Sequence, residues 1–437
     1  MTNPPIPATP TSWPGSHLVL PSLLGSVVRS LEANLALPPA VGTAVALQAV
    51  SAAIGAAAVL RDDPAPPLTP SLHTIIAASP GSTLPLALDA ILAPVRLMQV
   101  QLNQMAATGP SMLSTSGQPF GARELRACLS PVILMEDAPF SELMAAPSRA
   151  FDGGVLAKLS STACSRLWTG LAASPNGSRR HLFLQALSGH APLDKGRPLR
   201  TGTVSLLAEV RPDSEPWSGL VDFLPPDLCQ CSLVLNLGLG PASPKGDQVL
   251  PQKLAEAWAE RLEQLFRLRG LDGPGDVLMS ARARATFRRF DAELVAIASS
   301  WPDRHHELVF GWPVLARRLA LLLHLSAVLD DDLSEVNART GVALARFYGS
   351  HLLSLRDAAQ LQLELTALQA DCDRLLTAIQ QYGTAKRRTL FRSFNGQSYV
   401  RWNKALNELV HDGRVIQVSH DEFAVPESLL PASSSTV

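Results

Sequence analysis

Charge is what this sequence has least of. Of its 437 residues only 17% are charged, against about a quarter in an average soluble protein. The 37 Lys and Arg nearly cancel the 38 Asp and Glu, leaving a net −1. That balance excludes a globally basic nucleic-acid binder, so any such site must be local. Aromatic residues are also scarce, at 5%, but hydrophobic residues reach 46%. An intrinsically disordered chain, poor in apolar residues and rich in charge, is therefore excluded. The low charge has two readings: a partner covers part of the surface, or the composition reflects an alanine-rich, GC-biased genome.

Cysteine is sparse too. The five, Cys128, Cys164, Cys229, Cys231 and Cys372, are odd in number and scattered, which excludes a disulfide framework and fits a reducing cytosol. Cys229 and Cys231 lie in an apolar run with no second Cys or His pair at ligand spacing, so no metal is expected. The one long uncharged stretch, Val41–Leu60, is long enough to span a bilayer. It is dominated by Ala, Gly, Ser and Thr, with Gln48 in its middle, and Ala contributes little to insertion. A buried helix is expected rather than a membrane span. The start of the chain has neither a basic nor an apolar signal region, and a cytoplasmic protein is expected.

Thirty-five Pro and 28 Gly imply many turns. A proline-rich, disordered leader is expected over residues 1–16, and helices broken near Leu37–Pro39 follow. Leu72–Ala78 is a short apolar run, followed by Ser79-Pro80-Gly81-Ser82 and an apolar helical segment from Leu84 to Gln104. This is strand, tight turn and helix, the opening of a βαβ unit. Further strand candidates are Pro131–Asp137, Arg180–Gly189, Thr203–Val210 and Cys231–Leu239. Near-continuous apolar runs of this kind suit strands buried on both faces of a mostly parallel sheet. Residues 17–250 are therefore expected to form an α/β core, and residues 251–370 a helical bundle with apolar positions three and four apart. Residues 371–426 read as three helices and a hairpin. Gly383 and Gly413 end the first and third helices, Thr384 caps the second, and Ser419–Glu422 forms the turn, which is a winged-helix order. Residues 427–437 are a tail.

Several of these segments together resemble a known group: LPPAVGTAVALQAVSAAIG before the first strand, the IIAASPGST turn, ILMEDAPFSEL, SARARATFRRFDAEL, WPVLARRLALLLHL and the helix ending SHLLSLRD. The group is a family of phage, plasmid and prophage proteins with RecA-like, helicase-type P-loop domains, often beside primase domains. Over residues 30–360 the resemblance implies a RecA-like P-loop core. A working P-loop needs glycine-rich backbone, a Lys for the β/γ-phosphates and a Ser or Thr for Mg²⁺. Here the turn Ser79, Pro80, Gly81, Ser82, Thr83 keeps one glycine, and no Lys lies between Ser71 and Met98. Pro80 also removes one N–H from the cradle. The resemblance implies Mg²⁺-holding carboxylates at Glu136 and Asp137, which without the Lys become a vestigial acidic pair. The arginine the family places before its last strand is missing from PPDLCQCSLVLN. The expectation is a pseudo-ATPase without catalytic residues or cofactor.

Against the neutral whole, Thr384–Lys404 holds six cations and no acid: Lys386, Arg387, Arg388, Arg392, Arg401 and Lys404, with Tyr399 and Trp402 interleaved. In a winged helix the third helix enters the major groove while neighbouring elements touch phosphate. Lys386, Arg387, Arg388 and Arg392 are candidate phosphate contacts. Tyr399, Arg401 and Lys404 are candidates on the recognition helix, and Trp402 is expected in the core. Arg282, Arg284, Arg288 and Arg289, and the loop pair Arg179 and Arg180, are weaker candidates, read as ordinary surface charge. The leading expectation is a non-catalytic DNA-binding protein of a mobile element, oligomeric, with partner subunits from the same element. The alternatives are an interaction subunit of a nucleoprotein or defence complex, and an ATPase with an unconventional site.

Overall fold

The computed structural model describes residues 13–15, 18–62, 67–107, 132–150, 153–173, 183–187, 193–194, 197–198, 203–212, 226–246, 248–270, 275–298, 301–327, 331–393 and 398–426. The chain is mixed α/β. It divides into two compact units, Met1–Leu355 and Arg356–Val437.

The first unit opens with α1 (Ser22–Leu35) and α2 (Pro39–Ile54), each entered through a proline, a residue that suits the first helical turn. Next come β1 (Ala58–Leu60), β2 (His73–Ala78), α3 (Leu84–Ala107), β3 (Leu134–Glu136), α4 (Phe140–Arg149), β4 (Gly154–Leu159) and α5 (Ser161–Ala173). A small ladder pairs β5 (Leu193–Asp194) with β6 (Arg197–Pro198), and β7 (Thr203–Val210) and β8 (Ser232–Leu239) follow. The rest of the unit is α6 (Gln252–Arg267), β9 (Gly275–Val277), α7 (Ala281–Ala298), α8 (Asp303–Ala327) and the first part of α9 (Glu335–Tyr382). The main sheet has the order β3-β4-β7-β2-β8, with every pair parallel. β2 is buried along its whole length, as expected of a central strand covered on both faces. α2 and α3 cover one face, while α4 and α5 pack on β4 and β7.

The apolar stretch at Val41–Leu60 is interior rather than membrane-like. α2 is buried at every position from Ala40 to Ile54, and Gln48 accepts a 2.9 Å hydrogen bond from the Thr74 hydroxyl. Among the described residues, one helix is long and apolar enough to cross a membrane, His305–Ala327, and 78% of its apolar window is buried within the protein. The leader expected to be disordered is ordered at Trp13–Gly15, where Trp13 sits edge-on to Phe347 at 5.0 Å.

Several expectations need correction. Arg180–Gly189 is not a strand, since residues 183–187 are helical. Phe183, Ala186 and Leu187 are buried there at helical i, i+3, i+4 spacing, a pattern that a short apolar run conceals. The missing strand is β4, whose apolar run is interrupted by Lys158. The strand expected over Pro131–Asp137 is only Leu134–Glu136. Residues 251–370 are not helical throughout, because β9 pairs in parallel with β1. α9 runs unbroken for 48 residues, so Asp371–Gly383 does not begin a separate helix.

The second unit comprises the end of α9, β10 (Thr384–Lys386), α10 (Arg387–Ser393), α11 (Tyr399–His411), β11 (Ile416–Ser419) and β12 (Glu422–Ala424). Its antiparallel sheet has the order β10-β12-β11. Gly383 and Gly413 both adopt left-handed backbone, at φ 70° and 69°, and so end their helices as expected. Thr384 does not cap a helix. It is the first residue of β10, opposite Ala424, and α10 starts three residues later. Leu375, Ile379, Leu390, Trp402, Leu406 and Phe423 lie at the core of the unit.

Candidate functional site

In an open parallel sheet, ligands bind beyond the carboxyl ends of the strands, where the connections diverge to opposite faces. A cleft of about 540 Å³ lies at that place, lined by Ala78 and Pro80 after β2, Ser160, Ser161 and Arg166 around the start of α5, and Glu209 and Arg211 at the end of β7. Burial holds the Glu209 carboxyl above the ordinary carboxylate range. The sequence reading missed the cleft arginines. Their signal was a cation directly after the strand TVSLLAEV, Arg211, and another in the second turn of the earlier helix STACSRLWTGLAA, Arg166.

The turn Ser79–Thr83 that borders this cleft uses several of its polar groups internally, while the buried Ser82 hydroxyl has no hydrogen-bond partner among the described residues. The Ser79 N–H bonds to the Leu239 carbonyl at 2.8 Å, and the Ser82 N–H bonds to Ser79 O at 3.2 Å. Gly81 has φ 82°, and its carbonyl accepts from the Ala242 N–H at 3.1 Å. Pro80 has no N–H to offer. Thr83 is buried, and its hydroxyl donates to the Leu35 carbonyl at 2.7 Å. That carbonyl is one of those an α-helix leaves unpaired at its C-terminus, so Thr83 closes the end of α1. The hydroxyl that a P-loop would turn toward Mg²⁺ is therefore bonded within the fold.

Glu136 and Asp137 are brought to the same sheet end but perform different tasks. Glu136 accepts from Arg96 at 2.8 Å and from Lys158 at 3.2 Å, and both cations also reach Asp89. The Arg96 hydrogen bond holds the Glu136 carboxyl below its usual range. Arg96 lies far along α3 from the turn, yet the fold sets it against Glu136. Asp137 adopts φ 48°, and its carboxylate accepts from the Ser160 N–H at 2.6 Å. The Ser160 hydroxyl in turn faces the Ala163 N–H at 3.5 Å, so the start of α5 is satisfied from within. Two carboxylates engaged in this way organise the ends of β3 and β4.

Arg269 and His73, buried in the first unit, are likewise structural. The Arg269 guanidinium donates to the Ala52, Ala53 (2.8 Å) and Gly154 (2.8 Å) carbonyls, closing the negative end of α2. His73 faces the Leu187 carbonyl through Nε2 at 2.7 Å, and its Nδ1 accepts from the Leu206 N–H at 3.0 Å. That pattern requires the neutral ring, and burial pushes its pKa down to about 4. Cys229 and Cys231 are buried and form no disulfide, and no group among the described residues could hold a metal ion.

The second candidate region is the basic stretch of the second unit. Lys386, Arg388, Arg392 and Lys404 are exposed, as is Tyr399. Arg387 and Arg401 differ from them. Arg387 donates to the Asn403 side chain at 3.1 Å and lies over the Trp402 ring. Arg401 bonds to Asp371, which is only 2% exposed, at 2.6 Å. Trp402 is fully buried, as expected. On α7, Arg284 lies 3.9 Å from Asp62 and Arg288 and Arg289 are exposed. Arg179 and Arg180 fall outside the described residues. Comparison with protein-family models returns no match for this chain, and none of the curated proteins compared with it matches.

Proposed function

We propose that this chain is a non-catalytic, RecA-like protein of a mobile element, with a core that serves as an assembly surface and a C-terminal winged helix that binds DNA. The observation that carries the reading is the Thr384–Lys404 stretch, six cations without an acid in a protein of net −1. The order of helix, short strand, two helices and hairpin, with a three-stranded antiparallel sheet, supports the winged helix. The strand–turn–helix leading out of a central parallel strand supports the RecA-like core. The internally bonded, Lys-free turn supports the loss of ATP hydrolysis.

In this reading Lys386, Arg388 and Arg392 meet phosphates, and Tyr399 and Lys404 lie on the helix that enters the groove. Arg387 and Arg401 brace that helix through Asn403 and Asp371. Fluorescence anisotropy with labelled duplex DNA tests it. An Arg388→Glu/Arg392→Glu/Lys404→Glu variant should bind at least about 100-fold more weakly, with a shallower salt dependence. Unchanged affinity and salt slope would end the DNA reading. ATP turnover that Asp137→Ala abolishes would end the non-catalytic one.

A second reading, an interaction subunit of a larger complex, is favoured by the exposure of Val400, Ile416 and Val418 on α11 and the hairpin. Gel filtration with and without DNA separates the two. A stable assembly that forms whether or not DNA is present favours the second.

A further inference from the structure

The stretch of α9 between Asp357 and Asp373 contains no Lys or Arg, but carries Asp357, Glu364, Asp371 and Asp373. A helix meant only to bridge through water is normally polar around its whole circumference. This one places Leu361 and Leu365 four residues apart at 57% and 49% exposure. Leu368 and Cys372 continue the stripe at three and four residues further, where it enters the core of the second unit. Residues at this spacing share one face. Alongside the stripe runs a groove of about 550 Å³, with Leu365, Leu368 and Cys372 facing Glu408 and Asp412 from the end of α11. Asp371 is buried and paired with Arg401 and Arg374, and Arg414, 3.8 Å from Asp373 and 3.6 Å from Asp412, pairs at the rim, so Glu364 and Glu408 are the acids left to face an occupant.

We propose that this groove receives an amphipathic helix from a partner protein, with a leucine-type face seated on the stripe and Lys or Arg flanking it. Helix-in-groove recognition reads apolar anchors at this spacing, and charge chooses among occupants. A second copy of α9 would set Glu364 and Asp373 against the same acids without a cation in the stripe to answer them. Like charges placed opposite one another oppose association. Nucleic acid and anionic lipid are repelled for the same reason. The acidic groove and the exposed cations of Thr384–Lys404 thus serve different ligands.

The test uses the full-length chain and a fluorescein-labelled helical peptide of about 18 residues, made of leucine on one face and lysine on the other. A leucine–glutamate counterpart is the control. The lysine peptide should bind with micromolar affinity at about 0.15 M salt, and the glutamate peptide should not. Leu361→Asn/Leu365→Asn alters only exposed side chains and should weaken binding at least about tenfold, as should Glu408→Lys. Circular dichroism confirms the fold of each variant. Equal affinity across wild type and variants overturns the proposal, as does preference for the glutamate peptide. A wild-type dimer in sedimentation equilibrium that Leu361→Asn/Leu365→Asn dissociates assigns the stripe to a second copy and also overturns it.

Discussion

From Ser79 to Thr83 the chain bonds two amides and the Thr83 hydroxyl within itself, while from Thr384 to Lys404 five of six cations are exposed. Both segments sit where a nucleotide or nucleic acid would be expected, one at the carboxyl end of a parallel sheet and the other on a small helical unit. The contrast teaches that a fold can consume some polar side chains and leave others to solvent. The turn keeps the strand–turn–helix path, but its hydroxyl caps α1 and its amides bond within the protein. The basic stretch has no such internal demand on Lys386, Arg388, Arg392 and Lys404. Where a cation is needed internally, as at Arg401, a buried acid marks it.

Acid should separate the two regions most strongly. The unfolded chain protonates His73 near its ordinary 6.5, whereas the folded protein holds it neutral down to about 4. The resulting stability is complete above pH 6.5 and is lost as pH falls toward 4, by about 3 kcal/mol in total. Burial also lowers the pKa of His324 and His351, which adds loss of the same sign. The second unit has its histidines, His411 and His420, exposed and should not follow. Hydrogen exchange of the core amides at pH 7, 5.5 and 4.5 checks this. Equal acid sensitivity in the two units would break the contrast.

A smaller effect sharpens the division within the basic stretch. Arg401→Ala leaves the Asp371 carboxylate buried with only Arg374 near it, at 3.9 Å. The second unit should lose about 2 kcal/mol, and Asp371→Asn in the same chain should restore much of it. Lys404→Ala should leave urea stability unchanged while weakening DNA binding. The smallest effect lies at the turn. Thr83→Val removes the bond to the Leu35 carbonyl and should cost about 1 kcal/mol in urea denaturation. A neutral result there would mean that the hydroxyl is not needed to close α1.

Much of the fold was legible in the sequence. β2, β7 and β8 are near-continuous apolar runs, and α2 is mostly apolar around its circumference because it is buried on all sides. The helix ends and the hairpin of the second unit read from Gly383, Gly413 and the polar turn at Ser419–Glu422. β4 was not legible. Lys158 interrupts its apolar run, and only the fold shows that this ammonium projects to Glu136 and Asp89. β10 was missed for a related reason. Three residues have no pattern of their own, and their partners, Glu422–Ala424, lie almost forty residues later.

By itself the sequence determined the elements whose signal is local: periodicity, glycine at helix ends, a Lys-free turn and a run of cations without acids. Those depend on neighbours a few residues apart, which the order of residues states directly. Tertiary structure alone decided what each polar group is for. Thr83 meets Leu35, Arg96 meets Glu136, Arg269 meets the end of α2 and Arg401 meets Asp371 only after folding. A hydrogen bond or ion pair acts over a few ångströms, and the chain brings such partners together from positions 30 to more than 200 residues apart.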